Sequence, residues 1–251
     1  MVINTNFNFG SNQKKVILEL PFTEHIEELR QRLLILGFIG ILLTGVAFLE
    51  VKTIVKILEF PISDVKFFQL SPGEYFISTL KISFYIGILF TSPFGISQII
   101  FFLLPGLTKK ETIIILPLLI SSIILFGIGL AFSYYTLIPA ALNFFLTYSE
   151  EILEPFWSFE QYFEFILVLF YSTGLAFQIP IIQILLGLLN IFSIKQMFNS
   201  WRFVVLIATI LGAILTPSTD PLTQLLLSFA ILLLYSIGLG VLILIKNYSI
   251  F

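Results

Sequence analysis

The 251-residue chain is 58% hydrophobic and 11% charged, with a net charge of −2, no cysteine and one histidine. A soluble domain carries about 25% charge, so these side chains cannot cover a water-facing surface, and the mean hydropathy of +1.04 excludes a disordered chain. The near-neutral charge offers no basic footprint for nucleic acid, and His25 alone gives no material for a histidine metal site or a catalytic triad.

Residues 1–22 form a polar arm with Asn4, Asn6, Asn8, Lys14 and Lys15. It lacks the apolar core of a signal peptide and the arginine-rich character of a transit peptide. Next comes 22–34, where Thr23 can cap a helix and acids in the first turn suit its dipole. Ile26, Leu29 and Leu33 recur at helical spacing, and Glu28 stands four residues before Arg32, the favourable order for a helical ion pair. An interfacial helix with solvated charges satisfies this pattern, and so does an anionic receptor face at the membrane surface.

Six apolar stretches follow, at 33–49, 84–104, 113–138, 165–192, 203–215 and 225–245. A spanning helix needs about 20 residues to cross a ~30 Å hydrocarbon core. The fifth stretch would rise only ~20 Å. We therefore expect it to form a tight hairpin with the sixth, turning at 216–221, and to thin the bilayer nearby, with Trp201 and Arg202 as interface anchors. The expected architecture is an all-α, six-span membrane domain over 23–246, followed by a short tail at 247–251.

Basic residues set the topology. Lys14, Lys15, Arg30, Arg32, Lys109, Lys110, Lys195, Arg202 and Lys246 fall on one side, against Lys52, Lys56 and Lys66 on the other. The positive-inside rule then places both termini on the cytoplasmic or stromal side. The outer loop 149–161 carries Glu150, Glu151, Glu154 and Glu160 and no base, which agrees.

Polar groups at span ends and breaks are the candidate sites. Thr108 and Glu111 match a capping box; a carboxylate there can alternatively bind a cation, and the two roles compete. Gln178, in the 174–180 segment ending at Pro180, is an amide within a span. It must find partners, as glue between helices or as a polar spot for something entering from the bilayer. Asp220 before Pro221 is a strong N-cap and N1 signal for the last helix. No phosphate loop, zinc-protease motif or nucleophile elbow is present. The acids near spans lie at their ends, and no repeat relates the halves, which argues against a secondary transporter; only Gln178 and Gln183 offer it a midplane site.

Taken together and in order, segments 25–34, 102–111, 177–180 and 215–224 resemble the TatC family, the multi-spanning core subunit of the twin-arginine protein translocase. The resemblance runs from about residue 20 to 244. The Ser218-Thr219-Asp220-Pro221 form of the last segment is most similar to cyanobacterial and plastid members. It implies six helices in a curved, concave shell in a thylakoid membrane, or otherwise a bacterial inner membrane. It further implies a receptor and scaffold without cofactor or catalysis, which binds the Arg-Arg pair of signal peptides on folded cargo. Assembly into homo-oligomers with TatA- and TatB-type single-span subunits is implied as well, powered by the proton-motive force. Position by position, Glu28 and Arg30 match the N-terminal recognition pair, and Phe102, Pro105 and Glu111 the first inner loop. Phe76 and Lys81 match an aromatic and a lysine before the second span, and Asp220 and Gln224 the last outer turn. Many members carry glutamate where this chain has Gln178, so a role requiring charge there does not transfer, and Gln178 is expected to face the concave side.

The topology has a direct test. In sealed vesicles with the stromal or cytoplasmic face outward, added protease is expected to cut the N-terminal arm, and a protected arm would reverse the orientation.

Overall fold

The computed structural model describes residues 22–59, 67–103, 109–149, 156–216 and 220–248. The polar arm up to residue 21 lies outside them. Helix α1 (Phe22–Leu49) joins the interfacial stretch to the first span without a break. Its 28 residues rise ~42 Å, so about two turns project beyond a ~30 Å core, and these carry Glu28 and its neighbours. At Glu50 the chain turns into α2 (Val51–Glu59), an element the span pattern alone does not disclose. Its buried face is Val55 and Leu58, with Val51 and Ile54 packed beside them, a helical spacing within only nine residues. Two tyrosines hold its C-terminal end: Tyr134 Oη donates to the Ile57 carbonyl and Tyr162 Oη to that of Leu58, each at 2.9 Å. These are the carbonyls a helix end leaves without partners.

Two-residue strands β1 (Phe67–Phe68) and β2 (Trp157–Ser158) then pair in parallel at the outer end, joining the loops before the second and fourth spans. Helix α3 (Glu74–Leu103) begins ten residues before its apolar stretch and runs through Pro93. Proline leaves the carbonyl four residues earlier without a donor. Ser92 Oγ donates to that carbonyl, Leu89 O, at 2.7 Å.

The third span is α4 (Lys109–Phe132), a π-helical turn at Ser133–Leu137, and α5 (Ile138–Ser149). The fourth is α6 (Phe159–Ala176), a break at Phe177 and Gln178, and α7 (Ile179–Leu188), with Pro180 in the first turn of α7. A short helix α8 (Ile194–Asn199) carries a full capping box between Ser193 and Gln196. The fifth span, α9 (Trp201–Leu215), has 15 residues, ~22 Å of rise, and packs on α10 (Pro221–Tyr248) as the expected hairpin.

The fourth span is the centre. Its apolar window is 67% buried, against 6% for the first span. Around it α3, α4 and α6 pack mutually, α7 lies on α10, and α10 on α9, while α1 rests chiefly on α3. The result is an open row with α1 at one end and α9, which touches α6 as well as α10, at the other, consistent with a shell rather than a closed bundle. Large apolar side chains such as Phe38, Ile41, Phe84, Ile124, Phe203 and Ile214 face outward, as lipid requires.

Hydrocarbon supplies no hydrophobic drive between helices, so close backbone approach at small residues takes its place. At the α1–α3 crossing Gly87 lies against Thr44; a methyl group on Gly87 would stand 2.8 Å from Thr44 Cα. At the α9–α10 hairpin Gly212 lies against α10, where a methyl would stand 2.9 Å from the Gln224 carbonyl. In both cases the obstacle is backbone and cannot swing away. Gly87→Ala is therefore expected to lower the thermal stability of the detergent-solubilised protein by about 1–3 kcal/mol, as overpacking does. Gly127→Ala, where nothing lies within 4 Å of the added carbon, is the control expected to show no loss.

Candidate functional site

Helical geometry decides which inner-end charges meet. Residues four apart share a face, whereas residues two apart point ~200° away from each other. Glu28 and Arg32 accordingly join: Arg32 Nη2 lies 2.5 Å and Nε 3.0 Å from Glu28 Oε1. The guanidinium's other terminal nitrogen, Nη1, donates to Gln98 Oε1 on α3 at 3.0 Å. Side chains of this pair are 24% and 29% exposed, so the contact is half-buried between two helices. Phe102, one turn beyond Gln98 on α3, is also half-buried. Arg30 is not part of this group. It is 68% exposed and pairs with Glu27 at 2.6 Å on another face of α1. Glu28 and Arg30, the recognition pair that the resemblance implies, thus face different sides of α1, Glu28 joined to Arg32 and Gln98 and Arg30 to Glu27.

Gln98 escaped the sequence reading, although an amide near the inner end of stretch 84–104 is itself a signal. Thr108 and Pro105 lie outside the described residues, as does the side chain of Glu111, which falls in the first turn of α4. The expected capping box there belongs with them.

At the outer end, Lys81 Nζ forms an ion pair with Glu160 Oε1 on α6, so the lysine expected to meet a partner has an internal one. Glu164 lies one turn further along α6. Phe76 is 62% exposed on the first turn of α3. Glu74, not singled out by the sequence, is buried: it accepts from the Leu70 amide, from the Ser71 amide at 3.2 Å and from Ser158 Oγ at 3.1 Å. Ser158 holds the N-cap position of α6, and its hydroxyl serves Glu74 instead of its own helix. One carboxylate thereby ties the loop before α3 to the start of α6.

Two expected contact residues prove to be internal. Gln178 is 1% exposed. Its Oε1 accepts from Ser122 Oγ at 2.7 Å and its Nε2 donates to the Ser122 carbonyl at 3.0 Å, both on α4. The expectation that it faces the concave side is corrected: an amide between two helices is satisfied most cheaply by the neighbouring helix, and this one acts as glue. Asp220 is likewise buried and accepts the Thr223 amide at 2.8 Å, capping α10 as its sequence position predicts. Gln224 is half-buried one turn further on.

Gln183, on the α7 turn after Gln178, is the opposite case. Its amide is buried, and among the described residues neither its nitrogen nor its oxygen has a hydrogen-bond partner. Gln178→Leu is expected to lower stability by about 1 kcal/mol, the scale of an interhelical bond in a membrane. Gln183→Leu is expected to leave the melting temperature unchanged or raised, since it removes an unmet polar group. Thermal unfolding of both variants in detergent checks the pair.

Among the described residues no group of three His, Cys, Asp or Glu side chains converges to hold a metal ion. Residues 24–229 match the family model described as Sec-independent protein translocase protein (TatC). A tatC-like protein of Trieres chinensis is 72% identical over 247 residues, covering 98% of this chain and 94% of its own length. The Sec-independent protein translocase protein TatC of Synechocystis is 52% identical over 225 residues, covering 89% and 88%. A chloroplastic TATC of Pisum sativum is 51% identical over 221 residues, covering 86% of this chain and 62% of its own. The crystal structure of a twin-arginine translocase receptor TatC superposes with a TM-score of 0.76 at 33% identity, covering 86% of this chain and 98% of that one. The matches identify a multi-pass membrane component of a protein translocase, of thylakoid or bacterial type, and not a catalytic enzyme. The chain belongs to the TatC family.

Proposed function

We propose that this protein is the signal-peptide receptor and scaffold of the translocase, reading the arginine pair of folded cargo with Glu28 and Glu111. One observation carries the reading: Glu28, on the part of α1 that projects past the hydrocarbon, already holds a guanidinium through two nitrogens in a half-buried groove against α3. Arg–carboxylate bonds are charge-assisted, and the planar guanidinium engages a carboxylate through two N–H groups at once, which a lysine cannot do. In a half-buried site the local dielectric is below that of water, which strengthens each contact. Glu111, in the first turn of α4 on the same side, supplies a second carboxylate at a helix N-terminus. Phe102 lies at the same inner end, one turn beyond Gln98, and the apolar part of the signal peptide lies along the concave face. The exposed apolar flanks of the open row serve the single-span TatA- and TatB-type partners and further copies of this chain, with the proton-motive force driving transport.

Glu111→Gln separates the roles of that residue, because glutamine also fits a capping box. The variant is expected to fold and to lose affinity for an Arg-Arg signal peptide by roughly 30-fold, the ~2 kcal/mol low end for a truncated charge pair. A Lys-Lys peptide should lose much less, and added salt should weaken binding of the unmodified protein. Glu28→Gln is expected to behave alike. Peptide binding to the purified protein reads all four combinations; equal loss for both peptides, or none, would refute the assignment.

A further inference from the structure

The carboxylate that the receptor reading assigns to a ligand is occupied by a residue of the chain itself. Arg32 meets Glu28 Oε1 through Nε and Nη2 and reaches Gln98 Oε1 through Nη1. We propose that Arg32 is an internal competitor that sets the affinity of the site: a resident guanidinium that an incoming arginine must displace before it can rebuild the same forked contact with Glu28. The inference rests on the receptor reading above and deepens it.

Three features support an exchange. The first is chemical identity. The resident group is the one the ligand would bring, so replacing one guanidinium by another conserves charge and hydrogen-bond number at the carboxylate. An ammonium in its place conserves charge but loses the fork. The cost of displacing Arg32 is the same for either side chain, so it lowers the affinity for both and leaves discrimination against lysine to the direct contact.

The second is a place for the displaced group. Gln98 sits on a different helix, 66 residues along the chain, and bonds to the nitrogen that Glu28 does not use. Arg32 can therefore leave Glu28 and keep one hydrogen bond. An ordinary i,i+4 pair on a helix surface has no such third member.

The third is burial. With the two side chains 24% and 29% exposed, water cannot fully replace a partner lost from either. Arg30 cannot take the part, being largely exposed and paired with Glu27.

The measurement is affinity of the purified full-length protein for Arg-Arg and Lys-Lys signal peptides at fixed salt, with Arg32→Gln and Glu28→Gln compared. Loss of the competitor in Arg32→Gln should tighten binding of the Arg-Arg peptide several-fold. Binding of the Lys-Lys peptide should tighten by the same factor, so that the ratio between the peptides is kept. Arg32→Lys, which keeps the charge for insertion of α1, should fall between Arg32→Gln and the unmodified protein. If Arg32→Gln instead weakens Arg-Arg binding as Glu28→Gln does, Arg32 only positions the carboxylate and the inference fails while the receptor reading stands. Unchanged affinities in Arg32→Gln reduce the pair to helix decoration and also overturn it. Full binding in Glu28→Gln removes the receptor reading itself, and the inference with it.

Discussion

A hydrogen-bonding group in hydrocarbon must be met by protein, because no water is there to meet it. Most of the irregular features of this fold answer that constraint. Pro93 removes a donor from α3, and the adjacent Ser92 hydroxyl supplies one. Small polar side chains inside spans bond to carbonyls of their own helix: Ser83 to Thr79, Thr91 to Gly87, Thr173 to Leu169, Ser228 to Gln224. Where the fourth span breaks at Phe177 and Gln178, the buried side-chain amide of Gln178 turns to Ser122 on α4 and bonds to it twice. At the outer end, tyrosines from the third and fourth spans close the carbonyls of α2, and Glu74 takes up loop amides and the Ser158 hydroxyl.

The same constraint explains which spans are close neighbours. Apolar side chains gain little from one another when lipid is equally apolar, so contact is won by shape. Glycines on α3 and α9 let α1 and α10 approach to backbone distance. The fourth span, packed against α3, α4 and, through α7, α10, collects most of the burial. Helices at the ends of the row keep most of their surface for lipid or for other chains.

Hydropathy and spacing made the spans legible, because a span is a local property of about 20 residues. The Glu28–Arg32 pair and the Asp220 cap were legible for the same reason: each joins residues three or four apart. What escaped was non-local. Gln178 meets Ser122 across 56 residues, Arg32 meets Gln98 across 66, and Glu74 meets Ser158 across 84. No periodicity in one segment encodes a partner so remote, and a polar residue in a span shows only that a partner is needed. Helix α2 was hidden differently. Its nine residues are too few to span, and Lys52 and Lys56 made the segment read as a charged loop, although Val51, Ile54, Val55 and Leu58 carry a helical pattern.

Polar chemistry thus collects at the two ends of the molecule, and the ends differ in kind. At the outer end Lys81–Glu160 and Glu74–Ser158 join α3 to α6 or its cap, two elements that also pack along their lengths. The inner clasp of Glu28, Arg32 and Gln98 joins α3 to α1, the least buried of the five long spans, which also meets α3 at Gly95–Leu36, Gly40–Thr91 and the Gly87–Thr44 crossing. Gln98 lies eleven residues beyond Gly87, ~16 Å along the helix. Clasp and crossing are therefore the two ends of one continuous contact of α1 with α3, polar and exchangeable at the inner end and a steric fit between backbones at the other. An exchange of guanidinium groups at Glu28 leaves Arg32 holding α3 through a single bond to a neutral amide, weaker than its charge-assisted contact with the carboxylate. On the proposed mechanism, reading the arginine pair and loosening the inner end of the peripheral helix are one event, because the same side chain performs both.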